Sequence, residues 1–348
     1  MKTLDAALTP VKALGWAAGV VGMEKSFKKN PILGSRRLNR WGLHRERVRL
    51  ADALARRRRA ALARRLPEAD VAAFEKDGFV VKRNFLPEEV FEALRHEAFA
   101  REHPAREMRQ GQTVTRMIPV TRSSAARLPT AARIVEDPAL RRLIGFVAGR
   151  SGAPVFFIQT VIAEPSIKAA DPQTALHADT FHATSKMWLF LHDVPEDAGP
   201  FIFAPGSHRL TKERIDWEYE QSLTARDDKR NHHAQGSFRI SLDEIVALGY
   251  GAPRRMAVPG NTLVVADTFG FHGRSPSDRP TIRTELHGHL RRNPFLPWNG
   301  LDWQGLPGVR GRQLDLFYAL EDFKERRLGK RSIWRDVGAA AANAPARI

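Results

Sequence analysis

Three side chains in this sequence have the types and spacing to hold one metal ion. His177 and Asp179 stand in Leu176-His177-Ala178-Asp179-Thr180, and in an extended strand residues i and i+2 project to the same face. An imidazole and a carboxylate placed this way can bind one cation together. His272 is the natural third donor, because it directly follows an expected strand at 261–267. Two imidazoles and one carboxylate on one face of an octahedron leave three positions open, the donor set of non-haem Fe(II) centres. Cysteine is absent, so thiolate-ligated metal, a disulfide framework and a thiol nucleophile are all excluded.

A His-x-Asp pair is weakly specific by itself. His44-Arg45-Glu46 has the same shape, but it falls in a basic helix, where i and i+2 do not share a face. What distinguishes His177 and Asp179 is their company. A Gly199-Pro200 turn, the run Pro205-Gly206-Ser207-His208-Arg209, His272 and a basic residue on the strand beyond it follow in order. In that run His208 reads as a turn residue. His182 is close enough to the pair to line a pocket, Trp188 reads as core, and Asp267 is expected to hold His272 in place.

The elements that must position these residues are mostly short strands. Apolar runs at 155–161, 187–191, 201–204, 261–267 and 281–290 are broken by Gly199-Pro200, Pro205-Gly206 and Pro259-Gly260, which predicts strands joined by turns. Before them come a helical stretch at 70–74, the strand Gly78-Phe79-Val80-Val81, a helix from about 86 to 101 and another near 137–148. Many short strands without βα alternation predict an α+β chain whose core is an antiparallel sandwich or jelly roll. A polar, partly helical insert at 211–251 is expected to act as a lid.

Composition sets the outer limits. With 348 residues, 43% of them hydrophobic and 27% charged, the chain suits a large globular core and not a collagen, a disordered segment or a membrane bundle. Residues 1–66 hold 17 Lys and Arg against 4 Asp and Glu, and the remainder holds 39 against 35. The protein is thus a basic extension on a near-neutral body, which argues against nucleic acid as the partner. The apolar run at 13–23 is too short to span a bilayer, and no small-x-small cleavage site precedes Glu24-Lys25. Lys25, Lys28, Lys29, Arg36, Arg37 and Arg40 interleave with Phe27, Ile32, Leu33, Leu38 and Trp41. That composition fits a segment lying on an anionic membrane surface, or a solvated basic arm. A helix is expected over 43–66, with Leu50, Leu54, Leu62 and Leu66 along one side, Arg56 to Arg59 between them, and Pro67 as its stop.

Taken in order, His177-x-Asp179, Trp188-Leu189-Phe190-Leu191, Gly199-Pro200-Phe201, Ala204-Pro205-Gly206-Ser207-His208-Arg209, the run 262–267, His272-Gly273 and Arg283 resemble the phytanoyl-CoA dioxygenase family. The resemblance covers about 70–290. It implies a double-stranded β-helix and an Fe(II)- and 2-oxoglutarate-dependent dioxygenase that hydroxylates an unactivated C–H bond, releasing succinate and carbon dioxide. It implies His177, Asp179 and His272 as iron ligands, Arg283 as the partner of the distal carboxylate of 2-oxoglutarate, and Gln159 as a polar contact to cosubstrate or ligand. A guanidinium suits that carboxylate because it binds in a bidentate fork; Arg279 is a rival that Asp278 and Pro280 place in a turn. Arg274 stands where relatives have a small residue that contacts the cosubstrate, so either Ser275 takes that role or Arg274 faces the substrate. The implied division is a basic helical extension at 1–66, a dioxygenase domain at 67–290 with the 211–251 insert, and an extension at 291–348 packed on the core. A small organic, lipid-like or acyl, substrate, dioxygen as co-reactant and a cytoplasmic location, peripheral to the inner membrane face through 1–66, complete the expectation. The alternative is a non-catalytic member that acts as a membrane-surface or binding module.

Overall fold

The computed structural model describes residues 2–298 and 303–348. Eleven strands run in the order β1 (Phe79–Lys82), β2 (His103–Gln110), β3 (Thr113–Val120), β4 (Val155–Ala163), β5 (Ser185–Phe190), β6 (Phe201–Phe203), β7 (Arg254–Arg255), β8 (Leu263–Asp267), β9 (His272–Arg274), β10 (Thr281–Leu290) and β11 (Arg335–Ala340). They form an eight-stranded sheet, β1-β8-β5-β10-β4-β3-β2-β11, and a three-stranded sheet, β7-β6-β9. Every pairing is antiparallel. Together they make the double-stranded β-helix.

The period-two pattern of the sequence decides which side chains enter which layer. On β5, Met187 and Leu189 join one core while Trp188 and Phe190 join another, and on β8 Leu263 and Val265 part from Val264 and Ala266 in the same way. The first core lies under helices Glu68–Asp77, Glu88–Phe99 and Pro138–Val147, with Phe74, Leu94, Ile144 and Phe146 buried in it. The second lies between the sheets and contains Phe79, Phe201 and Phe203. Fully burying an aliphatic or aromatic side chain of this size contributes about 1.5–3 kcal/mol. On β10 the alternation sends Leu286 and Leu290 into the first core, so Arg283, Glu285, His287 and His289 share the other face.

All five expected strands are present, and the expected helix at 43–66 is observed as Leu43–Ala63. The pair β2 and β3 falls in what reads from sequence as a polar stretch. Two of its charged residues are interior ones: Arg116 and Glu107 are both fully buried and meet at 2.5 Å. Arg116 also donates to the carbonyls of Ala341, Ala344 and Pro345, which fixes the chain beyond β11 against β3. One glycine is dictated by contact. Gly78 ends helix Glu68–Asp77 at φ 86°, and a Cβ there would lie 2.5 Å from Nδ1 of His208.

The basic N-terminal segment is folded onto the body. Phe27 and Leu33, expected at a membrane surface, are buried in the interior, whereas Trp41 remains exposed. Helix Leu43–Ala63 packs against helices Lys212–Thr224 and Pro138–Val147. Two of its arginines turn inward: Arg47 donates to the carbonyls of Val20 and Glu24, and Arg58 to those of Gly149 and Leu296, while Arg49, Arg56 and Arg57 stay exposed. Among the described residues no helix is long and apolar enough to cross a membrane. The 211–251 insert is helical at Lys212–Thr224, Asn231–Ala234 and Leu242–Ala247. It is tied to the N-terminal segment by Glu218, which accepts from Arg214 at 2.9 Å and meets Nε2 of His44 at 2.9 Å.

Candidate active site

His177 and His272 are direct cross-strand partners. The His177 amide donates to the carbonyl of His272 at 2.8 Å and the His272 amide returns the bond at 2.9 Å. Their rings therefore stand side by side, with centroids 4.5 Å apart. Asp179, two residues on, brings its Oδ1 to 3.7 Å from Nε2 of each histidine. One ligand atom from each of the three lies within 4.8 Å of the others, and no other such group of His and carboxylate occurs among the described residues.

Hydrogen bonding sets which ring nitrogen is available. Nδ1 of His177 donates to the carbonyl of Ala175 at 2.7 Å, and Nδ1 of His272 to that of Gly270 at 2.9 Å. Each Nε2 is left with its lone pair toward Asp179, the orientation a metal-binding histidine requires. Nε2 of His272 is buried and has no hydrogen-bond partner. Such an orphaned atom is what a site shaped for a cation presents. Burial holds the His272 imidazole at about 4, against the pull of Asp179. Burial, His272 and Arg239 hold His177 well below its ordinary value. Both rings are neutral near pH 7. Burial pushes the Asp179 carboxyl up, but Lys186, His272 and His177 together hold it well below the usual range, so it is an anion. Two neutral imidazoles and a carboxylate fit Fe(II).

Beside this group lies a cavity of about 590 Å³. His177, His272, Gln159, Arg274 and Arg283 all line it. Arg283 is buried; its Nε donates to Oε2 of Glu285 at 3.3 Å and its Nη1 to the carbonyl of Gly199. Gln159 takes the other oxygen of Glu285 at 2.8 Å. Glu285 thus fixes both residues at once. Arg279 points away from the cavity, exposed and paired with Asp197 at 2.6 Å. Arg274 faces the cavity and is held by Asp171 at 2.9 Å. Ser275 is buried with an unpartnered Oγ, and it borders a smaller neighbouring cavity together with Arg274 and Arg283.

Of the other residues singled out in the sequence, Asp267 departs from its expected role, whereas His208 stands in the turn 205–208 as expected. The outer wall of the cavity is formed by Leu314, Phe317 and Tyr318 of helix Gln313–Leu328 and by Trp334, while the 211–251 insert brings the backbone of Arg239 against His177. Asp267 does not touch His272. Its Oδ1 accepts from the amides of Thr184 and Phe269 and its Oδ2 pairs with Arg59 at 2.6 Å, so it shapes the turn that leads to β9. His208 is buried against Phe74, away from the triad. His182 is also buried, with Nδ1 donating to the carbonyl of Ala183 at 2.9 Å. Sequence reasoning missed Lys186 and the place of Lys25 beside Asp179, whereas an ion pair of Arg283 with Glu285 was legible in the sequence and is observed at 3.3 Å. The signal for that pair is the i, i+2 spacing that puts Glu285 and Arg283 on the same strand face.

This fold with this triad defines an Fe(II)- and 2-oxoglutarate-dependent oxygenase-type domain. The phytanoyl-CoA dioxygenase family model matches residues 74–240, and that stretch of the chain is a domain of this family. No curated protein matches the chain. Among solved structures it is similar to the α-ketoglutarate-dependent epimerase SnoN from nogalamycin biosynthesis, at 20% identity over 66% of this chain and 82% of that one, TM-score 0.42. It is also similar to HygX from Streptomyces hygroscopicus with nickel, 2-oxoglutarate and hygromycin B bound, at 15% identity, 64% and 86% coverage and TM-score 0.38. EctD from S. alaskensis with bound Fe gives 17% identity, 64% and 76% coverage and TM-score 0.35.

Proposed function

We propose that the protein is an Fe(II)- and 2-oxoglutarate-dependent hydroxylase of a small organic substrate, with His177, Asp179 and His272 as the metal ligands. The observation that carries this reading is the triad itself: three ligand atoms within 4.8 Å, two of them nitrogens whose other ring nitrogen is committed to a carbonyl. When bound, Fe(II) with 2-oxoglutarate and dioxygen supplies the oxidising power that replaces C–H by C–OH, with succinate and carbon dioxide released.

The chain's own residues do the rest. Arg283 binds the distal carboxylate of the cosubstrate, and Glu285 and Gln159 keep its guanidinium in one orientation. Ser275 borders the same guanidinium from the adjoining cavity and stands ready as a hydroxyl donor to that carboxylate. Arg274 faces the substrate. Phe157, Tyr318 and Trp334 give the cavity apolar walls, which suit an apolar moiety and keep water from the reacting bond. A non-catalytic binding module is the weaker reading, because nothing in a mere scaffold requires a buried, unpartnered Nε2 beside a carboxylate.

The test is anaerobic addition of Fe(II) and then 2-oxoglutarate to the wild type and to His177→Ala. A visible metal-to-cosubstrate charge-transfer band in the wild type alone is expected. Its absence from folded wild-type protein refutes the reading. With substrate in hand, ¹⁸O from dioxygen in the product separates hydroxylation from other oxidative outcomes.

A further inference from the structure

The triad opens on one side toward a ring of cations, of which Lys186 steadies Asp179 while the other three have no part in metal or cosubstrate binding. The Asp179 side chain is 24% exposed and that of Lys186 30%. Lys186 donates to Oδ2 of Asp179 at 2.7 Å, and Nζ of Lys25 donates to the backbone carbonyl of the same residue. Arg291 reaches the carbonyl of Met23 at 3.2 Å, two residues from Lys25. Arg239, whose backbone pairs with His177, donates among the described residues to oxygens of Ser237 and Pro172. Lys186 bonds the Asp179 carboxylate, Lys25, Arg239 and Arg291 lie near enough to feel its charge, and its other oxygen faces the two imidazoles.

The remaining acid nearby is Glu24. It is exposed, and its Oε1 accepts from the amides of Lys25 and Ser26. Burial disfavours the charged form of Lys25, Arg239 and Arg291 alike, Asp179 offsets this in part for each, and among the described residues none of the three has a hydrogen bond to a carboxylate. Cations partly withdrawn from water without acids of their own gain most from an incoming anion. A divalent ion on the triad would draw on Asp179 and raise the positive excess further. Lys186 also lines the cavity, as does His289, so the ring meets the space a substrate would fill at Lys186.

We propose that this ring binds an anionic group of the substrate, a carboxylate or a phosphate, through Lys25, Arg239 and Arg291 while the rest of the molecule lies in the cavity. The assignment of substrate to this anion rests on the oxygenase reading above. In this arrangement part of the positive charge of residues 1–66 is turned inward, and Lys25 brings the N-terminal segment into substrate recognition.

Isothermal titration of the metal-free, full-length protein with inorganic phosphate and with acetate at low ionic strength tests the ring apart from the metal. At least one anion is expected to bind saturably, at least tenfold more weakly in Lys25→Met and in Arg291→Met, and undiminished in His177→Ala and Arg283→Met. No saturable binding overturns the proposal, and so does binding lost in Arg283→Met but kept in the ring variants. A second measurement needs no variant. The bound anion should slow acetylation of Lys25 and Lys186 by acetic anhydride relative to Lys212, whose side chain is 83% exposed; equal slowing of all three also overturns it. A missing charge-transfer band with anion binding intact sinks only the oxygenase reading, and the reverse result sinks only the ring.

Discussion

Lys186 holds Asp179 by one oxygen. Its Nζ takes Oδ2 at 2.7 Å, and this leaves Oδ1 facing both imidazoles at 3.7 Å. A partner that fixes a metal-binding carboxylate in this way typically accounts for 10- to 100-fold in metal affinity. Lys186→Met is expected to weaken Fe(II) binding by about that factor with an unchanged circular dichroism spectrum, and Lys186→Arg to recover most of it. Competition against a fluorescent chelator measures both. Equal affinity in wild type and Lys186→Met would remove the lysine from this role.

The Arg283 guanidinium owes its orientation to Glu285, whose second oxygen is held by Gln159. Truncating a charged hydrogen-bond donor costs about 1.5–3 kcal/mol. Arg283→Met is therefore expected to weaken 2-oxoglutarate binding about 10- to 100-fold while Fe(II) affinity stays within twofold. Glu285→Gln keeps the shape but removes the charge, and about a tenfold loss is expected. Titration of the charge-transfer band with cosubstrate reads both constants, and a larger effect of either variant on the metal than on the cosubstrate would contradict the assignment.

Arg59 and Asp267 join the basic helix to the turn before β9 across 2.6 Å, with side chains only 12% and 0% exposed. Removing one partner of a buried pair leaves the other charge uncompensated and costs about 3–5 kcal/mol. Arg59→Met should lower the unfolding free energy by that amount, and Arg59→Met with Asp267→Asn should regain a good part of it. Denaturant unfolding of the three proteins settles the coupling.

Buried neutral histidines give the fold a pH limit. Burial holds His208 at about 3 and both His233 and His289 at about 4, against about 6.5 in an unfolded chain. Because these folded values are depressed, the unfolded chain binds more protons below about pH 6.5. Their stabilisation is complete above that pH and is lost as pH falls toward 4, at up to about 1.4 kcal/mol per pH unit for each ring. The melting temperature should fall steadily from pH 7 to 5, and His208→Gln should flatten the slope. A flat wild-type profile over that range contradicts this account.

Much of the inner architecture was legible in the sequence because it is written in short-range patterns. His177 and Asp179 at i and i+2, His272 after an apolar run and the Gly-Pro punctuation sufficed to place the triad and five strands. The cavity's outer wall was not legible. Phe157 meets Leu314 and Tyr318 across a long stretch of sequence, and no local periodicity marks residues that will close a pocket. β2 and β3 were hidden for another reason, since Arg116 and Glu107 look solvated in sequence and are satisfied only by each other and by carbonyls beyond β11. Lys25 and Lys186 carry no motif; their meaning comes from converging on Asp179.

The strand order also governs how the molecule must assemble. The two outermost strands of the large sheet are paired by very distant segments, Phe79 with Ala266 on one side and Glu107 with Arg335 on the other. Neither edge can zip up from a neighbouring hairpin, so both wait on closure of long chain loops. Acquisition of the native state is accordingly expected to be slow, on the order of the milliseconds-to-seconds typical of β topologies with remote pairings. Until those edges close, β8 and β2 expose open hydrogen-bonding rims, which makes the half-folded chain the species most prone to self-association.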